Sequence, residues 1–349
     1  MKSLPQTRIS NIILLAVMSL FIACGNTSDT DKDHEQEPAA LTGDYVGQEP
    51  PGAMPSLFAP NYISTGMYER DVTMTPDGNE FYFGLMSGAY VTIVMTKRVD
   101  DVWTPLEIAP FCSDPNYYNL EPHITPDGQR ILFLSTRPTQ GQEPKSGWAY
   151  QDIWAANRTA DGWGEPYNVG PPVNTDQPEF YPSVTRDGTI YFTREVTEEG
   201  KQRSLIFRSR MVDGQYSEAN ALPDEVNPGD QQYNAFIDPD ERYLIVCMAG
   251  REDNIGRSDY YVCFRYADDS WTGPINMGAE VNTPGNNAPS PYVSPDGKYF
   301  FFASNRKSPE GSMAAQWGYD KILQMSIYPQ NGNADIYWMH ASFIDRLRP

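Results

Sequence analysis

The sequence is poor in the residues on which most metal sites and nucleophilic enzymes depend. Of its 349 residues only four are Cys and three are His, and no Cys-x-x-Cys pair or zinc-type Cys/His spacing occurs. A structural zinc site is therefore not expected, because such sites use closely spaced Cys and His ligands. The chain also has no Gly-x-Ser-x-Gly motif and no glycine-rich phosphate loop. Their absence argues against a serine hydrolase and against a nucleotide-binding enzyme.

Basic residues and long helical patterns are scarce as well. Lys and Arg number 26 against 46 Asp and Glu, a formal net charge of -20. Such a chain repels nucleic acid and anionic membrane surfaces, so no nucleic-acid partner is expected. Aromatic residues make up 13% of the chain, with 27 Gly and 30 Pro. This composition favours short strands and many turns, and hence an all-β fold.

The first residues predict a targeting signal rather than a folded element. Lys2 and Arg8 precede an apolar run, Ile12–Ala23, which is too short to span a bilayer and has the length of a signal-peptide core. The run ends at Cys24 and Gly25, which resembles a bacterial lipobox although Phe21 stands where Leu is usual. The resemblance implies that Cys24 becomes an acylated N-terminus. An ordinary cleaved signal peptide with an incidental Cys24 is the alternative.

The sequence divides into three parts. Residues 1–23 are the predicted lipoprotein signal peptide, and residues 24–50 are a polar, acidic stretch expected to form a flexible tether. Residues 51–349 form the folded domain. We expect a monomer that is held at the outer membrane by its lipid alone, on the periplasmic or the cell-surface side.

One phrase recurs five times along the folded part. The copies read VTMTPDGNEFYFGLM, HITPDGQRILFLST, SVTRDGTIYFTRE, AFIDPDERYLIVCM and YVSPDGKYFFFASN. Their central aspartates are Asp77, Asp127, Asp187, Asp240 and Asp296, at intervals of 50, 60, 53 and 56 residues. Each copy predicts a β-hairpin, because an apolar strand runs into an Asp-Gly turn and an aromatic-rich strand follows. Glu241 replaces the glycine in the fourth copy, so a different turn is expected there.

Two more strand patterns follow each hairpin, which makes four strands in each unit. Four-stranded units at this period are typical of β-propeller blades. The fifth unit lacks its last strand, and residues 57–64 are expected to supply it beside residues 259–266 or 335–341. The prediction is a five-bladed β-propeller closed by an N-terminal strand, with a sixth, degenerate blade as the alternative.

The repeats resemble those of a known family. The phrases TPDG…FLSTR, SPDG…FASNR and DIYW are similar to TolB-type, WD-repeat-like β-propeller repeats over about residues 55–345. The resemblance implies the propeller fold. It leaves the function open, because members include binding proteins, colicin-import partners, peptidase-associated domains and some polysaccharide lyases.

A ligand site is expected where the first strands of the blades meet the channel mouth. Six residues before each turn aspartate stand Asp71, Glu121, Tyr181, Asn234 and Ser290, and eight before stand Glu69, Asn119, Glu179, Gln232 and Ala288. Strand alternation predicts that both sets share one face, with Arg70 beside them and His123 on the face of Glu121. The alternative is that these polar side chains only hold ordered water.

Two long loops are expected to roof this mouth. They carry Trp148 and Trp317, and Arg137 and Arg306 lie just before them. Flat aromatic faces above polar groups suit a sugar or peptide ligand. The alternative for the arginines is that they brace the blades by pairing with aspartates.

Two classes of function remain. The first is a non-catalytic binding or scaffolding module at the cell envelope, whose partner is a glycan or a protein. The second is a carbohydrate-active enzyme, a lyase or a glycosidase on acidic sugars, with His123, Tyr181, Glu121 and Glu179 as candidate catalytic residues. No cofactor is predicted, although Glu69, Asp71 and Glu121 offer oxygen ligands for a divalent cation at the mouth. Cys247 and Cys263 are either two buried thiols or a disulfide.

Overall fold

The computed structural model describes residues 40–198, 200–287, 289–308 and 318–349, which form five antiparallel sheets of four or five strands and one two-stranded ribbon. The first strand of each sheet contacts the first strand of the next, and the fifth contacts the first. The sheets therefore stand in a ring as the blades of a five-bladed β-propeller, as predicted. None of the helices in these ranges has the length and apolar character needed to cross a membrane.

The strands follow one another from blade to blade. The closing strand comes first and is β1 (Ser56–Leu57). The strands of blade 1 are β2 (Tyr68–Met74), β3 (Glu80–Ser87), β4 (Tyr90–Val99), β5 (Val102–Trp103) and β6 (Glu107–Ile108). The strands of blade 2 are β7 (Asn119–Ile124), β8 (Arg130–Ser135), β9 (Asp152–Thr159), β10 (Gly162–Trp163) and β11 (Tyr167–Asn168).

The remaining blades are built in the same way. The strands of blade 3 are β12 (Glu179–Val184), β13 (Ile190–Glu198), β14 (Lys201–Ser209), the separate ribbon of β15 (Met211–Val212) and β16 (Gln215–Tyr216), and β17 (Asn220–Ala221). The strands of blade 4 are β18 (Gln232–Ile237), β19 (Tyr243–Ala249), β20 (Ser258–Phe264) and β21 (Ile275–Asn276). The strands of blade 5 are β22 (Pro291–Val293), β23 (Tyr299–Ser304) and β24 (Asp335–His340). Short helices are the 3-10 turns Tyr45–Gly47 and Pro110–Cys112, α1 (Tyr319–Ile327) and α2 (Phe343–Arg346).

The repeated turn explains why the hairpins form. In blade 1, the Thr75 hydroxyl donates to Asp77 Oδ1 at 2.6 Å, the amide of Asn79 donates to the same oxygen at 3.1 Å, and Gly78 takes a φ of 70°. In blade 4, Glu241 adopts a φ of 54° and its amide donates to the carbonyl of Asp238 at 2.8 Å. The expectation of a different turn there is wrong, because this is the hydrogen bond that Gly78 makes to Thr75, also at 2.8 Å.

The ring closes between the two ends of the folded chain. β1 pairs antiparallel with β24, with Ser56 opposite Trp338 and Leu57 opposite Tyr337. The predicted closure by an N-terminal strand is confirmed, and the predicted neighbour at 335–341 is the right one. The strand is shorter than residues 57–64, because the chain turns away after Phe58, with the amides of Ile63 and Ser64 donating to the carbonyl of Ala59.

The folded domain begins earlier than the sequence suggests. The sequence pattern places residues 40–50 in the tether, but they belong to the compact unit that starts at Ala40. Val46 is buried, and the ring of Tyr45 lies 5.0 Å from that of Tyr299 and 5.2 Å from that of Trp338. These contacts bury apolar side chains of residues 40–50. The overall acidic composition of residues 24–50 does not predict this burial. The predicted signal peptide, Cys24 and the rest of the predicted tether lie outside the described residues.

Cys247 and Cys263 are free and buried. β19 pairs Cys247 with Tyr260 and Leu244 with Cys263, so the two thiols lie at different levels of the sheet. They also belong to different hydrophobic clusters, one on each face of blade 4. The disulfide that the sequence left open does not form.

Candidate functional site

The first strands of blades 1 to 4 share one irregularity. Their pairing with the second strand shifts register at the same point of each repeat. The residue at that point has a positive φ, which is 60° for Asp71, 59° for Glu121, 51° for Tyr181 and 50° for Asn234. This left-handed conformation is costly for residues other than glycine and persists only where the surroundings impose it.

The bulge changes which side chains face the channel mouth. Alternation predicted that the residues six and eight places before each turn aspartate point there, but a bulge residue interrupts the alternation. All five residues seven places before the turn line the mouth cavity, whereas only Glu121 and Asn234 among the described residues of the two predicted columns do. The five are Arg70, Leu120, Phe180, Tyr233 and Pro289.

The mouth cavity has a volume of about 360 Å³, and its walls combine polar and apolar side chains. In addition to the residues just named, its lining comprises Tyr68, Met86, Glu121, Leu134, Trp148, Gln151, Glu195, Ser204, Gln231, Asn234 and Asn287. Trp148 is 43% exposed, and its ring packs edge-on against Tyr118 at 5.0 Å. The predicted Trp148 thus stands at this mouth, whereas Trp317 lies outside the described residues.

A network of hydrogen bonds across the channel forms the floor of the cavity. Arg70 donates from Nε to Asp71 Oδ2 at 2.6 Å and from Nη2 to Glu121 Oε1 at 2.9 Å. Asn234 Nδ2 donates to the same Glu121 oxygen at 3.4 Å and to the carbonyl of Pro289. The floor therefore joins blades 1, 2 and 4 to the start of blade 5.

Burial of this network shifts its acids towards the neutral form. Desolvation raises the pKa of Glu121 to about 7, against the opposing effect of Arg70, and Asp71 raises it further. The pKa of Asp71 is also raised by burial, which outweighs the stabilising charge of Arg70. Near neutral pH the floor therefore holds one cation and acids that readily take up a proton.

Tyr181 crosses the channel. Its hydroxyl donates to the carbonyl of Pro291 at 2.9 Å, which ties blade 3 to blade 5, and its amide donates to Glu121 Oε2 at 2.8 Å. Burial raises the pKa of the Tyr181 hydroxyl well above its ordinary value, so it stays protonated. Tyr181 thus links two blades across the channel, and this geometry does not suit it to act as a catalytic base.

His123 lies at a different level of the channel from Glu121. Its Nε2 accepts the amide of Val184 at 3.0 Å, just as Thr73 Oγ1 accepts the amide of Ile124 at 3.0 Å in the preceding blade. His123 lines a second, smaller cavity of about 120 Å³ with residues such as Pro126 and Tyr292. Burial lowers its pKa to about 4, which keeps it neutral. It is separated from Glu121 because the bulge at Glu121 breaks the alternation.

Glu69 and Glu179 brace the blades and do not line the mouth cavity. Glu69 accepts the hydroxyl of Thr65, and burial raises its pKa to about 7. Glu179 accepts from Thr175 and forms an ion pair with Arg194 at 2.7 Å. They precede the bulge, so their side chains diverge from those of Asp71 and Tyr181.

The predicted ligand-binding arginines are also braces. Arg137 donates to the carbonyl of Phe111 and lies over the ring of Trp154 at 5.7 Å. Arg306 donates to the carbonyl of Val281 at 2.7 Å and lies over the ring of Tyr337 at 5.2 Å. Both hold a backbone turn against an aromatic ring, so the bracing alternative describes their contacts, with carbonyls in place of the expected aspartates.

The candidate cation site does not assemble. Arg70 is ion-paired with both Asp71 and Glu121, and Glu69 does not line the same cavity. Across the described ranges, no group of three or more His, Cys, Asp or Glu side chains has a geometry that would hold a metal ion.

Several residues that line the mouth cavity are not predicted from the sequence. Phe180, Tyr233, Tyr68 and Glu195 line the cavity but read as ordinary strand residues. One sequence signal could have identified some of them. The residue seven positions before each turn aspartate is apolar in most of the repeats. In strands that are buried on both faces, such a column reads as core.

The sequence matches no protein-family model and no curated protein. Solved structures do resemble it in fold. TolB from Acinetobacter baumannii is 12% identical with a TM-score of 0.42, over 78% of this chain and 56% of TolB, so the chain spans little more than half of TolB's length. A protein titled glycoside hydrolase is 11% identical with a TM-score of 0.49, over 86% and 92% of the two chains. A GH43 endo-arabinanase from Bacillus licheniformis is 12% identical with a TM-score of 0.44, over 78% and 93%. At these values the likeness concerns the propeller fold and does not separate binding from catalysis.

Proposed function

We propose that this protein is a cell-envelope lipoprotein whose propeller binds a glycan at the mouth cavity without chemical turnover. The observation that carries the proposal is the composition of the cavity. Phe180, Tyr233 and Trp148 offer flat apolar faces, and the floor of Arg70, Glu121 and Asn234 offers directional hydrogen bonds. Aromatic walls above fixed polar groups are what a ring with one apolar face and several hydroxyls requires.

The membrane side of the proposal rests on the sequence alone. The lipobox-like end of the apolar run at Cys24 supports a lipid anchor, and the acidic residues after it support a spacer. We propose attachment to the outer membrane, with the propeller in the periplasm or at the cell surface.

A glycosidase is the second candidate, and one observation favours it. Glu121 lines the cavity with a pKa raised to about 7, the range in which a carboxyl group can deliver a proton to a leaving oxygen. Glu195 is a second acid on the same cavity. The lyase version has less support, since Tyr181 and His123 are engaged in hydrogen bonds away from the cavity.

Trp148→Ala tests the proposal. The full chain, purified in mild detergent, is screened against oligosaccharides by calorimetry, and the released reducing ends are measured in parallel. We expect binding without product, and about a tenfold loss of affinity in Trp148→Ala because a stacking face is removed. The matched control is Tyr266→Ala, an aromatic side chain that is 48% exposed and does not line the cavity.

Two outcomes would contradict the proposal. Product formation that Glu121→Gln abolishes, with binding retained, would make the protein a glycosidase. Equal affinities for Trp148→Ala and the parent protein would place the ligand elsewhere.

A further inference from the structure

The mouth cavity has a balance of charges and hydrogen-bond donors that indicates the class of sugar it takes. We propose that the cavity binds a neutral sugar residue and that it rejects uronic acids. This inference rests on the glycan-binding function proposed above and narrows it.

The charges of the lining disfavour an anionic ligand. Among the described residues, Arg70 is the only basic side chain that lines the cavity. A uronate carboxylate needs a cation that is free to pair with it, but Arg70 is already bonded to Asp71 at 2.6 Å and to Glu121 at 2.9 Å. Glu121 and Glu195 both line the cavity, so acids outnumber bases there.

Asn234 offers no free donor to a carboxylate either. Its Nδ2 donates to Glu121 Oε1 and to the carbonyl of Pro289. Its Oδ1 is buried and can only accept.

A uronate carboxylate in this cavity would therefore find neither a free cation nor a free amide donor, and it would meet the charge of Glu195 as well. A neutral sugar hydroxyl both donates and accepts, so it needs no cation.

The size and walls of the cavity suit a short ligand. Its volume of about 360 Å³ lies near the lower end of small-molecule pockets. Phe180 and Tyr233 line it, with Trp148 at the exposed edge. This space accommodates one or two sugar residues packed against aromatic faces, for instance the end of a glycan chain.

Matched pairs of sugars test the inference. Short oligosaccharides of glucose, galactose and mannose are compared by calorimetry with those of the corresponding uronic acids, using the full chain in detergent at low salt. We expect at least one neutral member to bind about tenfold or more tightly than its acidic partner. Equal or tighter binding of the uronate overturns the inference and leaves the glycan-binding function intact. Absence of binding to every member of the set overturns both.

Glu195→Gln tests whether charge causes the rejection. Glu195 stands on the cavity but outside the floor network, so its replacement leaves the bonds among Arg70, Asp71 and Glu121 in place. We expect the preference for neutral over acidic members to fall about fivefold, the effect of one partly screened charge. Glu198→Gln, the same change on β13 but outside the cavity lining, should leave the preference as it is. An unchanged preference in Glu195→Gln would overturn the electrostatic argument.

Discussion

At the scale of single residues, the channel is built from side chains that accept backbone amides of the next blade. Ser290 Oγ accepts the amide of Asp71 at 3.0 Å, Glu121 Oε2 that of Tyr181 at 2.8 Å, and Ser183 Oγ that of Ile237 at 3.0 Å. Each bond satisfies a donor that strand pairing leaves open at a bulge or a blade edge. Polar residues in this channel are thus part of the fold first, and only those that also line the mouth cavity are available to a ligand.

Several buried acids make the stability of the fold depend on pH. Burial raises the pKa values of Glu69, Glu121 and Asp335 to about 7 in each case. These groups have lower pKa values when unfolded, so the folded state binds more protons between the two values. The stability they contribute is complete below the unfolded pKa and is lost as pH rises through about 7.

Glu69→Gln should reduce this dependence. We expect the free energy of unfolding of the parent to fall as pH rises from about 5 to about 8, and the fall to be smaller by up to about 3 kcal/mol in Glu69→Gln. Denaturant titrations at several pH values provide the measurement. Glu218→Gln is the control, because it makes the same chemical change at an exposed position and leaves the buried acids in place. Parallel pH curves for Glu69→Gln and the parent would contradict the prediction.

At the scale of elements, the closing strand matters because of the aromatic residue that follows it. Phe58 is fully buried, and its ring lies 5.3 Å from Phe81 and 5.1 Å from both Phe301 and Trp338. The two paired residues of β1 supply few hydrogen bonds, so most of the closure energy comes from packing between blades 1 and 5.

Phe58→Ala should therefore weaken the ring more than the length of β1 suggests. We expect a loss of about 3–5 kcal/mol, from lost burial and the remaining cavity. The matched control is Met54→Ala nearby, a side chain that is 65% exposed. Thermal and denaturant unfolding of both variants measures the difference. Melting of Phe58→Ala at the parent's temperature would show that this segment does not close the ring.

At the scale of the whole molecule, we propose that an acidic propeller is attached to the membrane through a lipid on Cys24. The compact unit begins at Ala40, so at most the residues from Cys24 to Ala39 separate it from the lipid. The full chain has a net charge of -20, which gives it no overall electrostatic attraction to an anionic bilayer. Membrane association then depends on the acyl chains alone.

Cys24→Ser should consequently release the protein. We expect the parent in the membrane fraction, extractable by detergent and labelled by a fatty-acid analogue, and the variant in the soluble fraction without label. Cys112→Ser, a substitution of a buried free thiol in the propeller, is the control for loss of a cysteine as such. Retention of Cys24→Ser in the membrane fraction would contradict the anchor.

The number and order of the blades could be read from the sequence because they depend on local patterns. The turn around Asp77 forms from residues within five positions of one another, and the same pattern recurs in every repeat. Closure was also predictable, since an incomplete fifth blade leaves an open edge that the N-terminal segment can cover.

The identity of the residues at the mouth was decided by the tertiary structure. Tyr181 takes a positive φ where its amide meets Glu121 from another blade, and no local pattern announces such a contact. This bulge moves Phe180 to the cavity, and the bulge at Glu121 separates Glu121 from His123. Alternation within one strand therefore missed the column that lines the cavity in all five blades, although Glu121 and Asn234 of its own column line it as well. Likewise, Arg137 and Arg306 look like ligand-binding residues in the sequence, but in the structure they donate hydrogen bonds to backbone carbonyls. Local patterns thus determined the scaffold, while bonds between residues distant in sequence determined which side chains remain free to meet a ligand.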